Sequence, residues 1–88
     1  MNFDQVFSAI LRLNAEHESI YAFMESRPDC LLTVDDKAGI IYNAESNYEP
    51  FRNNDFLAFS NEEREVLNEM IAYSRELMDK IYDLIDKR

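Results

Sequence analysis

Two segments of the chain repeat hydrophobic residues at helical spacing, and they lie at its two ends. In the last third, Leu67, Met70, Ser74, Leu77, Ile81 and Leu84 alternate three and four residues apart, with Val66, Ile71, Met78, Tyr82 and Ile85 widening the same stripe. The pattern predicts a helix over 61–86 with an apolar band about 160° wide. Near the start, Phe3, Val6, Phe7, Ile10, Leu13, His17, Ile20, Tyr21 and Met24 hold one face until Arg27-Pro28 stops the pattern, which predicts a helix over 3–26. Each of these helices carries a start signal. Asn2 with Gln5, and Ser60 with Glu63, have the spacing of a capping box.

Between the two helices the period changes. Cys30 to Val34 is a short apolar and β-branched run, Asp35 to Gly39 reads as a turn, and Ile40-Ile41-Tyr42 reads as a return strand, so a β-hairpin is expected over 30–42. Residues 43–59 show no clean period and form a variable segment, with a short third strand or a helical turn expected in 55–59. The resulting fold class is α+β in the order α-β-β-α, with two long antiparallel helices and a small β-hairpin between them, in one domain over 1–88. At 1.5 Å per residue the helices measure about 36 and 39 Å, more than the roughly 30 Å of a compact globule this size, so the molecule should be elongated. In the antiparallel arrangement His17 falls near Ser74, the polar residue on the last helix's seam, and the two are expected to pair.

The stretch LLTVDDKAGIIYNAES, residues 31–46, resembles the opening hairpin of a PAS sensor domain, with Asp36, Gly39 and Ile41 at matching positions. Asn43 comes too early for that pattern, and the helix-rich remainder lacks the three further strands such a domain needs. The resemblance is therefore carried to neither fold nor function.

Composition narrows the function classes. Hydrophobic residues make up 47% of 88, with six Phe and five Tyr, which favours a folded globule over a disordered acidic chain. The net charge of −9 disfavours direct contact with nucleic acid or anionic lipid and makes a basic protein surface the complementary partner. Nothing in the sequence reads as a signal peptide or a membrane span, and a single cysteine fits a reducing compartment, so a cytoplasmic protein is expected.

Chemistry at a catalytic or cofactor site is not expected. Cys30 lacks a neighbouring base and reads as a small packing residue; His17 sits on an apolar face and reads as a hydrogen-bonded core residue. HESIY lacks the second histidine of a zinc motif, and Asp35-Asp36-Lys37-Ala38-Gly39 lacks the alternating oxygen ligands of a calcium loop, so no metal is expected. Gly39 is the single glycine, which leaves no phosphate-cradling loop, and no cofactor is expected. The chain reads as a non-enzyme.

The sharpest feature lies opposite the apolar stripe of the last helix. Glu62, Glu65, Glu69, Ala72, Glu76, Asp79, Asp83 and Asp86 follow the same three-four alternation, so seven of eight positions on one line carry a carboxylate. The five adjacent pairs repel by roughly 1 to 2 kcal/mol in all, and Glu76 with Lys80 and Asp83 with Lys87 are expected to return part of that as i,i+4 pairs. The rungs rise about 5 Å apart, close to the spacing of phosphates along a nucleic-acid strand. A ladder of this kind suits an inhibitor of the sort phages and mobile elements use, one that mimics nucleic-acid phosphates and blocks a basic nucleic-acid-binding surface of a partner. The competing reading is a merely solubilising face, with the surplus of apolar residues forming a structural or regulatory homodimer. Residues 1–60 carry ten carboxylates and four basic side chains, so the acidity extends beyond the ladder and fits both readings. In the variable segment Tyr48 and Phe51 are the candidate aromatic anchors for a partner, while Phe56 and Phe59 are expected to turn inward.

Overall fold

The computed structural model describes residues 2–27, 31–54 and 56–87. Three helices organise them: α1 (Phe3–Glu25), α2 (Val34–Tyr48) and α3 (Asn61–Asp86), with a single 3₁₀ turn at Glu49–Phe51 continuing α2. Each α-helix opens on a reciprocal capping box. Asn2 Oδ1 accepts from the Gln5 backbone N–H at 2.9 Å, Thr33 Oγ1 from Asp36 at 3.0 Å and Ser60 Oγ from Glu63 at 3.2 Å, while the third residue's side chain accepts from the cap's own N–H in return.

The Thr33–Asp36 box overturns the α+β class. Among the described residues there is no strand, and the segment read as a β-hairpin over 30–42 holds most of α2 instead. Two local hydrogen bonds start a helix where the β-branched run was expected to pair. From there Ile40, Ala44 and Tyr48 recur four residues apart, placing Ala44 and Tyr48 in the interior, and Ile41 widens that face. Gly39, read as a turn residue, adopts no positive φ and lies inside the helix. Its cost of about 1 kcal/mol relative to alanine is offset by the cap and the buried face. The stretch resembling a PAS hairpin is thus largely helical. Cys30, expected to be a packing residue, lies outside the described residues.

The expected antiparallel pairing of the two long helices is also corrected, because α1 and α3 run parallel. Phe3 meets Phe59 edge-on just before α3, Ser74 donates to Asn14 midway, and Met24 packs with Ile81 and Ile85 at the far end. A hairpin would have returned the chain to the end it left. Instead α2 runs back between them: Leu32 and Ile40 join the Met24 cluster, Ala44 reaches His17, and Tyr48 reaches Arg75. Residues 49–60 complete the return, burying Phe56 in the main core that also holds Val6, Ile10 and Leu67. The expected strand or turn over 55–59 resolves, among its described residues, into turns with a left-handed backbone at Phe56 (φ 55°).

The up-down-up bundle measures 45 × 19 × 17 Å, elongated as its helix lengths require. Parallel register also decides the interior polar contacts. Ser74 and His17 were expected to pair, but the Ser74 hydroxyl donates to Asn14 Oδ1 at 2.5 Å, and His17 Nε2 donates to the Ala44 carbonyl at 3.0 Å. His17 is fully buried and ties α1 to α2 as a core residue.

Candidate interaction face

The acidic ladder forms because the face opposite it is needed inside. Leu67, Ile71, Ser74, Leu77, Met78, Ile81 and Ile85 are buried, which turns the other side of α3 outward over an unbroken helix of 26 residues. Glu62, Glu65, Glu69, Glu76, Asp79, Asp83 and Asp86 are all exposed. Among the described residues none of them lies within 4 Å of a basic side chain.

Three of the chain's cations, Lys80, Arg75 and Arg52, engage partners off the ladder. Lys80 was expected to pair with Glu76, yet its Nζ stands 5.7 Å from the centre of the Tyr21 ring, on the α1 side. Arg75 donates from Nε to the Tyr48 hydroxyl at 2.6 Å and lies 5.9 Å from that ring. The expected pair of Asp83 with Lys87 is likewise not formed. Arg52 makes an ion pair with Glu49 at 2.8 Å, off the ladder altogether.

Acidity reaches both flanks of α3. Tyr73 has its phenol pushed above the ordinary range, first by burial and then by Glu18 of α1, with Glu76 adding to it. Tyr82 on the other flank is pushed up to about 12, chiefly by burial and then by its hydrogen bond to Glu45 of α2 at 3.1 Å. Carboxylates of α1 and α2 thus stand beside phenols on both flanks of α3, adding to the effect of burial.

The aromatic candidates are placed differently from expectation. Tyr48 is 6% exposed and Phe51 is half-buried against the main core, so neither stands out as an anchor. Tyr48 is instead a junction where α2, Arg52 and Arg75 meet. Sequence reasoning missed that junction, although the spacing of Ile40, Ala44 and Tyr48 carried the signal. Phe56 is buried and Phe59 partly so, both turned inward as expected.

Among the described residues no group of three or more His, Cys, Asp and Glu is arranged to hold a metal ion, and no helix is long and apolar enough to cross a membrane. Comparison with protein-family models, with curated proteins and with solved structures finds no match.

Proposed function

We propose that this chain is an acidic protein-interaction protein that lays the α3 ladder against a basic surface of a partner, in the place a nucleic-acid backbone would take. The observation that carries the reading is the row of seven exposed carboxylates, none within 4 Å of a basic side chain among the described residues, while Arg75 and Lys80 engage aromatic side chains. Rungs about 5 Å apart along a rod of about 39 Å offer a basic cleft a line of charge, and a rigid helix adds no ordering cost for the backbone on binding. Mechanism is then competition: long-range attraction speeds encounter, the ladder occupies the cleft, and salt weakens the complex.

The test is affinity capture from lysate at low and high salt, comparing the native chain with the triple variant Glu69→Gln, Glu76→Gln, Asp83→Asn. Basic nucleic-acid-binding proteins should be captured at low salt, released by added DNA, and lost with the triple variant while the mass of the chain is unchanged. An identical captured set from both chains would refute the ladder's role. The second reading, a helical homodimer with a solubilising acidic face, draws on Val66 and Tyr73, which stay 41% and 42% exposed beside the apolar stripe. It requires a mass that rises with concentration and is indifferent to the triple substitution.

A further inference from the structure

A second surface lies away from the ladder, between α1 and the first half of α2. Because these helices run in opposite directions, Glu16 comes opposite Asn43, and Phe23 opposite Asp36, leaving a groove of about 540 Å³ between them. Its floor is apolar. Ile20 and Ile40 are half-buried, and Phe23 is 47% exposed with the chain's own Arg27 guanidinium 4.5 Å from its ring centre. Its rim is acidic: Glu16 stands on one side, Asp35 and Asp36 on the other, and no Lys or Arg is among the described residues that line it. Gly39 opens the floor further, since a Cβ built there would meet nothing within 4 Å.

We propose that this groove binds a basic amphipathic helix of a partner protein, with apolar side chains on the Ile20, Phe23 and Ile40 floor and Lys or Arg against the rim. Length and chemistry agree. Glu16 to Phe23 covers about two helical turns, the span over which i, i+3 and i+4 anchors of a docked helix repeat. The missing side chain at Gly39 lets the partner's backbone come close. Charge selects among occupants: a second copy would bring another acidic rim and another net charge of −9 to the groove, whereas a basic helix is complementary on both counts. Arg27 already covers one face of the Phe23 ring, so a docked helix shares Phe23 with it or displaces it.

The inference stands apart from the ladder, and one experiment distinguishes the two. The isotopically labelled full chain is titrated with a synthetic peptide of about four turns, Leu and Lys in helical alternation, and with a scrambled peptide of the same composition. Amide shifts should concentrate at Glu16, Ile20, Phe23, Gly39 and Ile40, and the scrambled peptide should bind about tenfold or more weakly. Gly39→Gln, which fills the floor at a helical position with open space around it, should weaken the ordered peptide by about tenfold. The triple ladder variant should change that affinity by less than about threefold. Shifts centred on the α3 carboxylates, equal binding of the scrambled peptide, undiminished binding by Gly39→Gln, or groove shifts that grow with protein concentration alone would each overturn the proposal.

Discussion

Ser74 and Asn14 are the clearest case of a residue whose worth depends on its partner. Both are buried, and the serine hydroxyl has its acceptor across the α1–α3 seam. Ser74→Ala should therefore cost about 1 to 3 kcal/mol, because it strands the Asn14 amide in the core. Asn14→Leu combined with Ser74→Ala should cost less than the two single changes added together, and a denaturation cycle of the four proteins measures the coupling. Additive costs would mean that the pair does not act as a unit. Tyr82 gives a second prediction, in alkali. Its folded-state phenol is raised to about 12 from an ordinary value of 10, so the folded chain holds this proton where the unfolded chain releases it. The stability Tyr82 contributes is complete below pH 10 and falls as pH rises from 10 to 12. Tyr82→Phe should flatten that part of the pH profile, and an unchanged slope would remove Tyr82 as its cause.

At the scale of elements, α1 and α3 were legible in the sequence because each joins a Ser or Asn cap to a long apolar stripe. The middle of the chain was not. Its helix has 15 residues, includes a glycine, and opens on β-branched residues that read equally well as a strand. The deciding signal was Thr33 three residues before Asp36, a capping box closed by Asp where Glu or Gln is the usual partner. Missing α2 also reversed the packing of α1 on α3, since orientation depends on what the connection does and not on either long helix. The candidate site divided along the same line: the ladder follows from α3's own period, whereas the fate of Tyr48 depended on α2. Two changes test this account of α2. Thr33→Ala removes the cap and should cost about 1 kcal/mol, and Gly39→Ala should stabilise by about 0.5 to 1 kcal/mol, because its Cβ meets open space in a helix. Chemical denaturation reads both. Destabilisation by Gly39→Ala would mean that this position needs glycine for a reason other than helix geometry.

Across the whole molecule, parallel packing places the C-terminal ends of α1 and α3 together, and the N-terminal end of α2 beside them. Neither last turn of the long helices holds a basic residue, while Glu25, Asp83 and Asp86 lie there with Asp35 and Asp36 of α2. Only the α2 acids face a favourable helix dipole; the others add negative charge where two helices already present carbonyl ends. The ladder therefore runs from a favourable position at Glu62, in the first turn of α3, to an unfavourable one at Asp86. Reversing the charge at either end relieves a similar amount of ladder repulsion, but the dipole contribution changes sign. Asp86→Lys should stabilise by about 0.3 to 1 kcal/mol at low ionic strength, and Glu62→Lys should give less than that or destabilise. In about 1 M salt, where the screening length falls to about 3 Å, the difference between the two variants should largely vanish. Denaturation at both salt concentrations decides the matter: equal effects at the two ends would show that the ladder feels only its own charges. A difference that survives high salt would point to a local contact in place of the field of the aligned helices.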